Sequence, residues 1–235
     1  MGPICKVDDH ISFEDAVTLG VGITTVGQGL YQELGLPIPP AKVQEPTPIL
    51  IYGASTATGT LAVQFAKLSG YEVLATASPR NFDLLRKLGA DQVFDYSDPE
   101  VGAKIRNATS DKLKLVFDCI AEGNSFAISA AAISSTGGHV SALLPVKNFP
   151  RDDVKTKITL AYTAIGEKFN DQWPENQVDY EFGVKFWKLS GDLINSGKIK
   201  THPAEVRNGL AGVPQGLQDL KDGKVSGVKI VYKVE

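Results

Sequence analysis

The chain has 235 residues, enough for one large domain or for a full domain with part of a second. With 43% hydrophobic and 22% charged residues it has the composition of a globular protein with a real core. A formal net charge of -3, the lack of any apolar run near the ~20 residues of a membrane span, and an N-terminus without a secretory apolar region exclude nucleic acid, membrane and export signals as themes.

Residues 13–34 are expected to be helical. Ser12 stands as N-cap, Glu14 and Asp15 lie in the first turn and Gly35 is a stop. Gly20, Gly22, Gly27 and Gly29 point instead to two short helices packed closely on a neighbour. A proline-rich connector, 37–48, can be neither helix nor central strand.

From Ile49 the rhythm changes. ILIY, YEVLATA, DQVFDY, LKLVFDCI and GGHVSALLP read as strands. TLAVQFAKLSG, NFDLLRKLG, PEVGAKIRNAT and NSFAISAAAI read as the helices between them. Alternation on this scale implies βαβ units on a parallel sheet, and the nearly all-apolar strands imply helices on both faces. The expected fold class is α/β, a Rossmann-type doubly wound sheet over 46–165. Beyond it KITLAYTAI reads as a further strand and 178–195 as an amphipathic helix. VKIVYKV at the end reads as a strand with no partner in the chain.

The chemistry concentrates in the loop after the first strand, Tyr52 to Gly59. Small residues there let backbone N–H groups and a helix N-terminus approach a pyrophosphate, and Ser55, Thr56 and Thr58 add hydroxyls around Ala57. The loop lacks the central glycine of G-x-G-x-x-G, so a plain tight turn is the alternative. The second strand ends in Ser78-Pro79-Arg80-Asn81, with no acid to accept ribose hydroxyls. An acid would repel a 2′-phosphate, whereas a hydroxyl and a guanidinium would bind it, which favours NADPH. The alternative is that Ser78 caps the helix and Arg80 is solvated. Tyr96 could flank the adenine or be an ordinary packed tyrosine. At the remaining strand ends Cys119, Ile120, Leu143 and Leu144 outline where a nicotinamide ring would lie, although each alone reads as core.

Two cysteines are too few for a disulfide framework and fit a reducing, cytoplasmic setting. Cys5, Cys119, His10, His139 and His202 show no metal-ligand spacing, so no zinc is expected. No G-x-S-x-G elbow and no Tyr-x-x-x-Lys occur.

The segments ISFEDAVTLGVGITTVGQGLYQELGL, ILIYGASTATGT, ATASPRNFD, VFDCI, GGHVSALLP and GKVSGVKIVYKV carry a resemblance. The chain resembles the quinone-oxidoreductase-like branch of the medium-chain dehydrogenase/reductase superfamily, above all the trans-acting enoyl reductases of fungal polyketide synthesis. The resemblance implies NADPH delivering hydride to an α,β-unsaturated, carrier-bound thioester without zinc, with a polyketide synthase as partner. It implies pyrophosphate contacts at Ser55 to Thr58 and 2′-phosphate contacts at Ser78, Arg80, Asn81 and Tyr96. Thr24 and Thr25 would lie near the nicotinamide, and Ser226 to Lys229 would return to the cleft.

Members of that family also carry a GroES-like catalytic domain ahead of the point where this chain begins. The expected division is therefore a junction segment over 1–45, the NADPH-binding domain over 46–165, and a segment over 166–235 returning toward the catalytic domain. Both termini would form a remnant of that second domain, and their apolar residues would pack together or drive self-association. No proton donor follows from the resemblance. A non-redox enzyme or a binding module for a polyketide-derived molecule is the alternative to a reductase, and a non-functional fragment of a longer gene is a third reading.

Overall fold

The computed structural model describes residues 2–234. Five parallel strands form the centre: β1 (Pro48–Tyr52), β2 (Glu72–Ala77), β3 (Gln92–Asp95), β4 (Leu115–Asp118) and β5 (Gly138–Ala142). A sixth, β6 (Val154–Ile158), joins the edge, giving the order β3-β2-β1-β4-β5-β6 with all neighbours parallel. The order reverses between β1 and β4, so the loops after those strands diverge and leave a crevice at their carboxyl ends. Ile49, Leu50 and Ile51 of β1 are fully buried, as a central strand covered on both faces requires. The expected strand KITLAYTAI is β6 only as far as Ile158; Ala161–Ile165 coils into a 3-10 turn.

The helices are α1 (Phe13–Ala16), α2 (Gly20–Val26), α3 (Ala57–Leu68), α4 (Phe82–Lys87), α5 (Val101–Ala108), α6 (Ser125–Ala132), α7 (Gln177–Asn195) and α8 (Val213–Lys221). The segment 13–34 splits as its glycines suggested. Ser12 accepts the Asp15 N–H, and α2 runs on into a π-helical stretch, Gly27–Glu33. The glycines make room for aromatic rings. A Cβ at Gly29 would stand 2.2 Å from the Phe117 ring, and one at Gly27 would stand 2.6 Å from Phe186. Phe65 and Phe186 pack at 5.2 Å between centroids, beside Tyr31, and join α2, α3 and α7 into one layer. Ile23, Val26 and Leu30 are fully buried in this layer, so α3 and α7 cover them; Val21 remains exposed.

The last strand is not alone. Residues Ala204–Asn208 form β7, which pairs in parallel with β8 (Lys229–Lys233), and α8 connects them. This corrects the expectation of an unpaired VKIVYKV and adds a strand and a helix that the sequence reading passed over. The Lys233 ammonium reaches Glu14 of α1, so the two ends of the chain meet in a small unit beside the main sheet. Among the described residues no helix is long and apolar enough to cross a membrane.

Candidate cofactor cleft

The β1–α3 turn is built for close approach. Gly53 takes φ +69, and a Cβ on Gly59 would lie 2.5 Å from the Gly53 carbonyl oxygen, so only glycine lets the helix start this near the strand. The Gly53 N–H donates to Thr76 Oγ1 of β2 at 3.0 Å, which fixes the turn over the sheet. Thr56 is the N-cap of α3, and its Oγ1 accepts the Gly59 N–H at 3.0 Å. Among the described residues nothing in the chain accepts from the N–H groups of Ser55, Ala57 and Thr58. Three open donors at the start of a twelve-residue helix suit an anion.

A cleft of about 1520 Å³ opens beside this turn. Ser55, Thr56, Ala57, Ser78, Arg80, Tyr96 and Ile120 line it. Ser78 precedes a 3-10 turn without making a side-chain cap, and its Oγ instead lies 3.2 Å from the Tyr96 hydroxyl. Arg80 is exposed and has no carboxylate partner among the described residues. The opposite wall is the tail, Val225 to Ile230, whose Lys229 also lacks a carboxylate partner among the described residues. Two unpaired cations thus line one cavity. Three acids line it too: Asp98 is ion-paired with Lys104, which holds its carboxyl below the usual range, whereas Glu100 and Glu122 form no ion pair among the described residues.

Other candidates stand elsewhere. Thr58 lies in the first turn of α3 outside the cavity wall. Asn81 is buried, and its amide donates to Ser226 Oγ at 2.9 Å, so it serves the tail. Cys119 is half-buried beside Gly53; burial pushes its thiol well above the ordinary range, which leaves it uncharged and unsuited as a nucleophile. Leu143 packs on the core, with its N–H on the Asp118 carbonyl, and Leu144 is exposed; neither lines the cavity. Thr24 accepts from Trp187 Nε1, and Thr25 donates to the Val21 carbonyl. Asp118, fully buried, shapes the loop after β4 by accepting the N–H groups of Ile120 and Ala121, and burial raises its carboxyl.

One supporting residue escaped the sequence reading. His202 is buried, its Nδ1 lies 2.9 Å from Thr60 Oγ1 of α3, and its N–H donates to Thr18. Burial lowers it to about 4, so it is a neutral post between helix α3 and the tail. In the sequence it is a single histidine before a proline, with nothing to mark its depth.

Sheet order, glycine turn and cleft together define a Rossmann-type α/β module with its crevice at the carboxyl ends of β1 and β4. Residues 57–173 match the family model described as zinc-binding dehydrogenase. The chain is 66% identical over 231 residues to the trans-enoyl reductase ACTTS2 of Alternaria alternata, covering 98% of this chain and 67% of that protein. It is 44% identical to the trans-enoyl reductase resD of Aspergillus sclerotiorum, over 97% of this chain and 69% of the other. The solved CurK enoyl reductase shares the fold, with a TM-score of 0.78 at 21% identity, over 98% of this chain and 65% of that one. The chain belongs to the trans-enoyl reductase family and spans about two thirds of the length of these relatives. The zinc in the family model's description finds no ligand set here, since among the described residues no three His, Cys, Asp or Glu side chains converge.

Proposed function

We propose that the chain binds NADPH and reduces the α,β double bond of an unsaturated acyl thioester held on a carrier, as the enoyl-reducing partner of a polyketide synthase. The observation that carries the reading is the cleft at the end of β2. There a hydroxyl and an unpaired guanidinium, Ser78 and Arg80, stand where an NAD-selective site has an acid. The open N–H groups of Ser55, Ala57 and Thr58 would hold the pyrophosphate at the α3 N-terminus. Arg80 and Ser78 would take the 2′-phosphate, Tyr96 would flank the adenine, and Lys229 would add positive charge from the tail. Ile120, at the end of β4, lines the cleft and would border the nicotinamide end, with Cys119 behind it, while Leu143 and Leu144 stand outside the cavity wall.

Bound there, NADPH would supply a hydride to the β-carbon of the thioester and leave as NADP+, and a proton from solvent would complete the reduction at the α-carbon. The role of this chain's residues is to fix the ring at one end of the cleft. The test uses the chain with NADPH deuterated at the transferring position and a crotonyl thioester. Only slow accumulation of deuterium at the β-carbon of the saturated product is expected, well below about one turnover per second. Tight cofactor binding without label in any product would overturn the reductase reading and leave a binding module.

A further inference from the structure

A second recess, of about 190 Å³, is lined by Lys42, Lys67, Lys87, Lys198 and Lys200 together with Gln64. All five lysines are exposed. Among the described residues only Lys67 has a counter-ion: its ammonium lies 2.7 and 2.8 Å from the two oxygens of Asp91, a carboxylate that also accepts the Val73 N–H. Lys42, Lys87, Lys198 and Lys200 have no carboxylate partner among the described residues. Crowding of unpaired like charge is unexpected on a chain whose formal net charge is -3.

The cluster rests on fixed backbone. Gln64, buried in α3, accepts the Lys200 N–H at 2.7 Å and donates to the Lys200 carbonyl at 3.0 Å. Ile199 is buried between Lys198 and Lys200, so both side chains turn outward. The Val43 N–H donates to the Ser69 carbonyl, which pins Lys42 against the end of α3. The recess also lies at the far end of the sheet from the cofactor cleft. Lys67 and Lys87 close α3 and α4, the helices that lead into the starts of β2 and β3.

We infer that this recess is a docking face for an acidic surface of a partner protein. Helix C-termini present carbonyls, so a small anion deep in the depression would meet the negative ends of α3 and α4, whereas the ammonium groups project past them. Lysines are flexible point charges, suited to steering a broad carboxylate face rather than to gripping one phosphate. The acidic balance of the whole chain disfavours a long polyanion or a bilayer that would extend past the patch. Docking here leaves the cofactor cleft open, and the inference does not depend on which cofactor the cleft takes.

The test is an amide-shift titration of the isotope-labelled full chain with a deca-glutamate peptide, in parallel with inorganic phosphate and with phosphatidylserine vesicles. Saturable shifts centred on Lys42, Lys67, Lys87, Lys198 and Lys200 are expected, weakening as salt rises from about 0.05 to 0.3 M. Lys87→Glu with Lys198→Glu should weaken the peptide by about tenfold at unchanged Tm; Lys42→Glu with Lys200→Glu serves if the first pair fails to fold. No saturable binding, shifts centred on the cleft, unchanged affinity in the variants, or a tighter response to phosphate or vesicles would each overturn it.

Discussion

The Asn81 side chain holds Ser226: its amide donates to the serine Oγ across 2.9 Å and ties the tail to the loop that carries Ser78 and Arg80. Gly227 is part of the same contact, with φ +67 and no room for a Cβ, which would lie 2.6 Å from Asn81 Oδ1. This buried amide therefore adds to the β7–β8 pairing in holding the wall that brings Lys229 into the cleft. Asn81→Ala removes a hydrogen bond worth about 0.5–1.5 kcal/mol and should raise the NADPH dissociation constant about three- to tenfold. Gly227→Ala should cost more, because strain and steric conflict add. A fluorescence titration in which both variants bind as the parent does would show that the tail is not part of the site.

Gly59 tests the turn itself. A methyl group there meets the Gly53 carbonyl oxygen and the Ala54 Cα at 2.5 and 2.7 Å, both backbone atoms that cannot swing aside. Gly59→Ala should destabilise the fold by about 2–4 kcal/mol, read as a lower midpoint in urea, and should weaken cofactor binding as α3 is pushed from β1.

His202 gives the pH dependence. Its folded value, about 4, lies below the ordinary value of 6.5, so between these limits the unfolded chain binds the extra proton. Stability from this residue is present above pH 6.5 and is lost as pH falls toward 4. The loss is on the order of 3 kcal/mol across the window. Thermal unfolding from pH 7.5 to 4.5 should show a fall that is clearly flatter in His202→Gln. Parallel curves for the two proteins would assign the acid sensitivity elsewhere.

No metal ligand set exists among the described residues, so a chelator should leave both Tm and NADPH affinity unchanged. Stoichiometric zinc by elemental analysis of chelator-washed protein would contradict this.

The central sheet was legible because its strands are almost wholly apolar and its helices follow at regular intervals. Ile49, Leu50 and Ile51 announce a covered strand, and Gly53 to Gly59 a turn that only small residues can make. Of the tail only the last strand was legible, for a physical reason. β7 is half-exposed along its length, and α8 buries only Gly216, so neither carries a strong apolar period. Gly209, Gly212 and Pro214 break the pattern further. The packing of the π-helical stretch was hidden too, because the Phe117 and Phe186 rings that lie against Gly29 and Gly27 are far away in the sequence. At the site, Ser78, Arg80 and Tyr96 could be placed from strand ends alone. The commitment of Asn81 to Ser226 could not, since the two residues lie 145 positions apart in the chain.

The most direct test of the account is cofactor discrimination at Arg80, which lines the cleft with no carboxylate partner among the described residues. Losing one charge-assisted phosphate contact costs about 1.5–3 kcal/mol, so Arg80→Ala should weaken NADPH on the order of tenfold or more and leave NADH nearly unchanged. The parent chain should bind NADPH far more tightly than NADH in the same fluorescence titration. Equal affinities of the parent for the two cofactors would contradict the assignment of Ser78 and Arg80 to the 2′-phosphate.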